Sequence, residues 1–280
     1  MNQQRSKELR ITAQDLRITG LKMVQGAGSG HIGGAFSLSE IMAVLYFEKM
    51  NIRPNDPKWE DRDRLVMSKG HATVALYPAL ATRGFFPLSL LDTFRKIDGH
   101  LSAHVEMKYV PGVDMSAGSL GQGLSAAVGM ALAGKQLKKN FTVYAILGDG
   151  EIQEGQIWEA LMYSGSHGLD NLIIILDNNK VQLDGTVSEI LDTGDLNAKF
   201  TGFGLQTLSV DGHDVEQLCD AIDKAKVTKG KASIIIANTV KGKGVSFMEG
   251  LAAWHGQTPN SEQFVKAFEE LNAARKDLEV

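Results

Sequence analysis

The chain is short of cysteine, of excess positive charge and of long apolar runs, and each shortage excludes something. Its one cysteine, Cys219, has no partner for an internal disulfide, which suits a reducing compartment. Lys and Arg number 29 against 33 Asp and Glu, for a net charge of −4. No broad basic field is available for nucleic acid. No apolar run is long enough to cross a bilayer, and the opening MNQQRSKELR lacks the apolar core of a signal peptide. The expectation is a cytoplasmic protein with neither nucleic-acid nor membrane partners. Internal repeats, low-complexity tracts and linkers are also missing. What is present is an ordinary globular composition, 43% hydrophobic and 22% charged over 280 residues. The 30 glycines cluster in short motifs, as phosphate-handling loops require.

Apolar spacing predicts a helix over 5–25, carrying Leu9, Ile11, Leu16, Ile18, Leu21 and Met23. A glycine-rich turn, Gly26 to Gly34, follows. The next helix is expected to start at Ser37 or Ser39, with serine as cap and Glu40 in its first turn, and to run to Met50. After a polar loop broken by Pro54 and Pro57, Arg64–Ser68 reads as a buried strand ending at Lys69-Gly70-His71. A helix over Ala72–Thr82 comes next. Residues 84–118 read as irregular, apart from a helix at Leu88–Arg95, and hold His100 and His104. Such an excursion inside a compact domain is more often functional than decorative. Gly118-Ser119-Leu120-Gly121-Gln122-Gly123 then opens an Ala- and Gly-rich helix, against which something should pack closely. Further strands are expected at Gln206–Val210 and Ser233–Ala237, with a helix at Val215–Thr228 between them. The last helix should turn Phe264, Val265, Phe268 and Leu271 inward. Alternation of strand and helix predicts one α/β domain over 1–280, a parallel sheet flanked by helices on both faces.

The chemistry concentrates in 141–185. Phe141–Leu147 is an apolar run stopped by Gly148-Asp149-Gly150; Leu172–Leu176 is another, stopped by Asp177-Asn178-Asn179. Between them lies room for a helix and a returning strand. Ligands in open α/β sheets bind beyond the carboxyl ends of the strands. Glycine lets the backbone turn sharply and approach an anion. Asp149, Asn179 and a carbonyl just past Asn179 form a hard-oxygen donor set of the kind magnesium takes together with phosphate oxygens. Gly, Asp and Asn are also ordinary turn residues. Two such motifs ending two apolar runs at this separation favour the site.

GDG followed by NN at this distance resembles the thiamine diphosphate fingerprint. GSGHIGG, MSKGHA, HVEMKYVPGVDMSAGSLGQG, GDGEIQEG, LDNNKVQLDG, VKGKGVSFME and WHG together resemble transketolase, in order and over essentially the whole chain. The resemblance implies the thiamine diphosphate-binding fold, in its diphosphate (PP-type) form. It implies metal ligation by Asp149, Asn179 and the carbonyl of Val181, with Mg2+, or Ca2+ or Mn2+ in its place. It implies cofactor contacts at His71, Gly118, Ser119, Leu120, Gly148, Asp149, Gly150, Glu151 and Asn179. His31, His71, His104 and His255 would surround the reacting carbon, as histidine's pKa suits a proton shuttle. His104 is preferred to His100 for its distance from GSLGQG. His167 and His213 read as structural, and Lys241 and Lys243 as solvated lysines of a glycine turn, with phosphate neutralisation as the alternative. Glu154 is placed by the resemblance near a subunit interface; a carboxylate favoured by the helix dipole is the other reading.

Full-length transketolases carry further domains, one of which supplies the glutamate that activates the cofactor. The resemblance therefore implies the N-terminal subunit of a split transketolase, active with a C-terminal partner subunit on sugar phosphates, as a heterotetramer. Rival readings are the alpha chain of a 2-oxo-acid dehydrogenase, a 1-deoxyxylulose-5-phosphate synthase and a non-catalytic binding subunit. The SKGHA, HVE and WHG segments favour ketol transfer, because sugar hydroxyls need those histidines.

Overall fold

The buried strands pair as expected from their unbroken apolar runs. In the computed structural model, which describes residues 1–279, five strands form one sheet: β1 (Arg64–Met67), β2 (Val143–Gly148), β3 (Leu172–Asn178), β4 (Gln206–Asp211) and β5 (Ser233–Asn238). The order is β1-β2-β3-β5-β4 and every pairing is parallel. Alternate side chains feed two cores, as the pleat dictates. Tyr144, Ile146, Ile173, Ile175 and Ile235 face one layer; Val143, Ala145, Leu147, Ile174 and Ile234 face the other.

The first layer holds α1 (Gln3–Ala27), α2 (Gly33–Phe36), α3 (Ser39–Val44), α4 (Thr73–Arg83) and α9 (Val215–Val227). The second holds α5 (Gln122–Gln136), α6 (Gly155–Ser166) and α8 (Leu196–Gly202). A short α7 (Val187–Leu191) lies between β3 and α8, and α10 (Ser261–Asp277) packs on α1. The close approach expected along α5 is present: a Cβ on Gly123 would fall 2.6 Å from the Cα of Ser68. This helix therefore lies directly against the end of β1.

Four local expectations are corrected. The helix after the first glycine turn is interrupted into α2, α3 and a π-turn at Leu45–Lys49. No serine caps α3; the hydroxyl of Ser37 instead donates to Gly34 O and to Asp177 Oδ2. Leu88–Arg95 is not an α-helix but a 3-10 turn over Leu88–Thr93. Arg95 beyond it has φ 55, which a helix does not allow. Val265 is 58% exposed: Phe264, Ala267 and Leu271 keep the i, i+3, i+7 stripe, and Val265 sits one residue off it. The expectation missed α7 and α8, each too short to show a periodicity.

Candidate active site at the carboxyl edge of the sheet

Parallel strands end together, so the loops after β1, β2, β3 and β5 meet at one edge. Gly148 stands opposite Asp177 and Asn178 opposite Asn238 in the register. Here a cavity of about 250 Å³ opens, lined by Asp149, Asn179, Val181, Lys69, Lys241, His71 and His255, among others. Gly148, Gly150, Glu151, Leu120 and Glu154 also line it.

Asp149 is buried and receives hydrogen bonds from the backbone N–H of Lys180 and, at 2.8 Å, of Gly150. Burial, and then the nearby charge of Asp177, push its carboxyl up to about 6. The charge of Lys69 and the two backbone donors offset this only in part. Asn179 Oδ1 accepts from Val181 N–H at 3.1 Å, and its amide donates to Asp177 at 3.1 Å. The carbonyl of Val181 accepts from the Lys241 ammonium at 3.0 Å. Thus all three hard-oxygen donors expected from sequence line one cavity, and one of them already faces a cation.

Two lysines define the site's charge. Lys69 pairs with Asp177, both fully buried. Asp177 also accepts from Ser37 at 2.7 Å and from Thr239. Burial opposes its charge, but Lys69 and these donors hold it below the ordinary carboxylate range. Lys241, expected to be solvated, is 2% exposed, which corrects that reading. It bonds Val181 O, Gln182 O (3.2 Å) and His255 Nδ1 (3.1 Å). Burial and then the charge of Lys69 bring it down to about 8. Lys243 does sit at the surface, against Glu249 at 3.4 Å.

Glu151 lines the cavity, but its carboxylate is spent on the protein: Ser68 Oγ, Gly121 N–H (2.9 Å) and Gly148 N–H (3.1 Å) all donate to it. It ties the GSLG loop to the ends of β1 and β2. Burial raises its pKa against these donors.

Four histidines converge from four segments: His31 before α2, His71 before α4, His104 in the excursion before α5, and His255 in the turn Ala252–His255. His31 lies 5.1, 5.9 and 5.6 Å, ring centre to ring centre, from His71, His104 and His255; His71 and His255 are 5.0 Å apart. Gly70 makes this possible. A Cβ there would meet the Ala117 carbonyl at 1.9 Å, so only glycine lets the segment leading to Gly118 cross the KGH turn. Val105 bridges Ala117 and also donates to Gly70 O at 3.0 Å, seating His104. Burial first, and then neighbouring cations and imidazoles, lower His31 and His255 to about 4 and His71 to about 2. Such groups are neutral near pH 7 and equipped to donate or accept one hydrogen bond each.

Not every expected residue is in the cavity. Gly118 and Ser119 are exposed; Gly118 lines a neighbouring shallow cleft with His104, and Ser119 lines neither. His100 is exposed and outside the histidine cluster. His213 is structural: its ring contacts Glu40 at 2.9 Å and accepts from Val240 N–H at 2.9 Å. His167 stacks on Tyr163 at the end of α6. Sequence reasoning missed Lys69, Asp177 and Arg95 as site residues. The first two stood at strand ends, but their pairing across the sheet edge leaves no local signal.

The parallel α/β sheet thus gathers hard-oxygen donors, buried lysines and a cluster of imidazoles at its carboxyl edge, chemistry suited to an anionic group. Residues 9–275 match the thiamine diphosphate binding domain of transketolase, and the chain belongs to the transketolase family. It is 46% identical to the 6-deoxy-6-sulfo-D-fructose transketolase subunit SqwG of Clostridium sp. (strain MSTE9), over 94% of this chain and 96% of that protein. It is 39% identical to an apulose-4-phosphate transketolase subunit of Phocaeicola vulgatus, over 92% of each. The transketolase structure from Campylobacter jejuni superposes with a TM-score of 0.90 at 34% identity, covering 99% of this chain and 46% of that one. The chain thus spans almost the whole of the subunit-type relatives and under half of that transketolase chain.

Proposed function

We propose that the chain is the N-terminal, diphosphate-binding subunit of a transketolase, moving a two-carbon ketol unit from a ketose donor to an aldose acceptor. The observation that carries this is the meeting of His31, His71, His104 and His255 beside a cavity floored by Asp149, Asn179 and Val181. Asp149, Asn179 Oδ1 and the Val181 carbonyl would hold a divalent cation, Mg2+ with Ca2+ or Mn2+ as substitutes. One carboxylate, one amide and one carbonyl leave positions for the oxygens of a diphosphate. Lys69 and Lys241 would balance that anion, as cations lining a buried pocket. Thiamine diphosphate, when bound, supplies carbanion chemistry no side chain offers. The protein's part is orientation, exclusion of water and proton handling. Gly148, Gly150, Leu120 and the Glu151-braced GSLG loop, with Gly118 and Ser119, would position the cofactor. These histidines would bind the sugar's hydroxyl and carbonyl oxygens and relay its hydroxyl proton.

The donor class is a ketose bearing an anionic group, since the relatives' names specify a sulfo-sugar and a sugar phosphate. Those relatives are named as subunits and match over nearly their full length. This supports a C-terminal partner subunit that supplies the activating glutamate, within a heterotetramer. A single domain over 1–280 fits one sheet with one core on each face. A cytoplasmic setting is supported by the lone free cysteine. Among the described residues no helix is long and apolar enough to cross a membrane. The test is direct: assay ketol transfer with this chain, with the partner, and with the two mixed, with and without Mg2+. Transfer only in the complete mixture is expected; transfer by this chain alone would refute the split site.

A further inference from the structure

One cation beside the histidines has no part in the proposed reaction so far. Arg95 follows the 3-10 turn Leu88–Thr93 and holds φ 55, a left-handed conformation that strains a non-glycine residue. Its N–H donates to Leu101 O at 2.8 Å, which fixes the backbone. Its side chain reaches the cluster, with Nη2 3.0 Å from His31 Nδ1. Its Nε is buried without a partner among the described residues, so structural hydrogen bonds do not account for its placement. A guanidinium has donors only. His31 Nδ1 must therefore be the acceptor in this contact, which leaves the ring proton on Nε2.

We propose that Arg95 is a positioning residue that fixes His31 as the neutral Nε2–H tautomer, so that His31 meets the substrate as a hydrogen-bond donor and not as a base. This rests on the transketolase reading. The groups facing His31 come from five segments: Arg95, His71, His104, His255, and Lys241 after β5. All are cations or imidazoles, and no carboxylate stands among them to stabilise an imidazolium. Burial and the Arg95 charge accordingly hold His31 down to about 4. The duties of the cluster then divide: His31 donates, and proton acceptance falls to the other rings.

The test reads the tautomer itself. In the chain labelled with 15N-histidine, long-range 1H–15N spectra report which ring nitrogen carries the proton, with His31→Gln identifying the signals. The Nε2–H form is expected in the wild-type chain throughout pH 6–8, and this measurement needs no variant. Arg95→Leu is expected to yield a tautomer mixture and a higher titration midpoint. Arg95→Lys, another donor-only cation, should restore the wild-type pattern. In the assembly with the C-terminal subunit, Arg95→Leu should lower kcat by about 10-fold or more with KM little changed, and Arg95→Lys should recover most of it. A wild-type His31 protonated on Nδ1, an unchanged tautomer in Arg95→Leu, or an undiminished kcat in an active Arg95→Leu assembly would each overturn the role. Absence of ketol transfer in the wild-type assembly would instead overturn the functional reading, while the spectra still decide the Arg95 contact.

Discussion

Asp149 is a buried carboxyl whose ionisation costs stability. Its folded pKa of about 6 stands above an ordinary value of 3.8. The folded carboxyl therefore holds its proton more tightly than the unfolded one. Below pH ~4 both states are protonated and the group is neutral in its effect. Above about pH 6 both are ionised and the penalty is complete, about 3 kcal/mol for a rise from 3.8 to about 6. Stability from this group thus rises as pH falls through that window. Asp149→Asn should raise the Tm of the metal-free chain at pH 8, and change it little at pH 4. In calorimetry with thiamine diphosphate and Mg2+, the same variant should lose affinity by about 100-fold or more. A variant less stable than wild type at pH 8 would contradict the burial argument. Asp177 behaves in the opposite sense, because Lys69 compensates it. Asp177→Asn strands a buried ammonium and should cost about 3–5 kcal/mol in denaturant unfolding; a loss under about 1 kcal/mol would show that water reaches Lys69.

Legibility in the sequence differed from element to element for physical reasons. β2 and β3 announced themselves because a strand buried on both faces is an unbroken apolar run. Their ends announced the site, because Gly-Asp-Gly and Asp-Asn-Asn cannot continue such a run. The cations were silent. Lys69 meets Asp177 and Lys241 meets Val181 across the sheet edge, and no local pattern encodes a pairing over that many residues. Arg95 was hidden inside a stretch read as a helix. α7 escaped for want of length, yet Thr186 and Glu189 form a capping box there, and that signal was readable. For α10 the stripe was right but too wide by one residue. Leu271→Ala should therefore cost about 2–5 kcal/mol, while Val265→Lys should stay within about 0.5 kcal/mol. A large loss for Val265→Lys would mean that this face of α10 is covered in the native assembly.

At the scale of the molecule, the proposed partner can be tested at the rim of the cavity. Asp149, Asn179, His71 and His255 line it, and Leu183 lines the same cavity and stays 58% exposed. A single exposed leucine is ordinary on a protein surface, but this one lines the cavity, where a chain that closed the cofactor site would meet it. The C-terminal subunit proposed above is the candidate neighbour, and Gln182 and Leu183 line the cavity it would meet. Leu183→Asp places a charge at that rim while leaving the proposed metal ligands and the histidines in place. The isolated variant should keep the wild-type Tm within about 2 °C, because an exposed side chain contributes little to folding. Its affinity for the partner should fall by about 10-fold or more, read by analytical ultracentrifugation of the mixture, since burying an unpaired charge costs more than about 1.4 kcal/mol. Cofactor affinity in the mixture should fall with it if the partner completes the pocket. Assembly unchanged by Leu183→Asp would place the interface elsewhere on the carboxyl edge of the sheet.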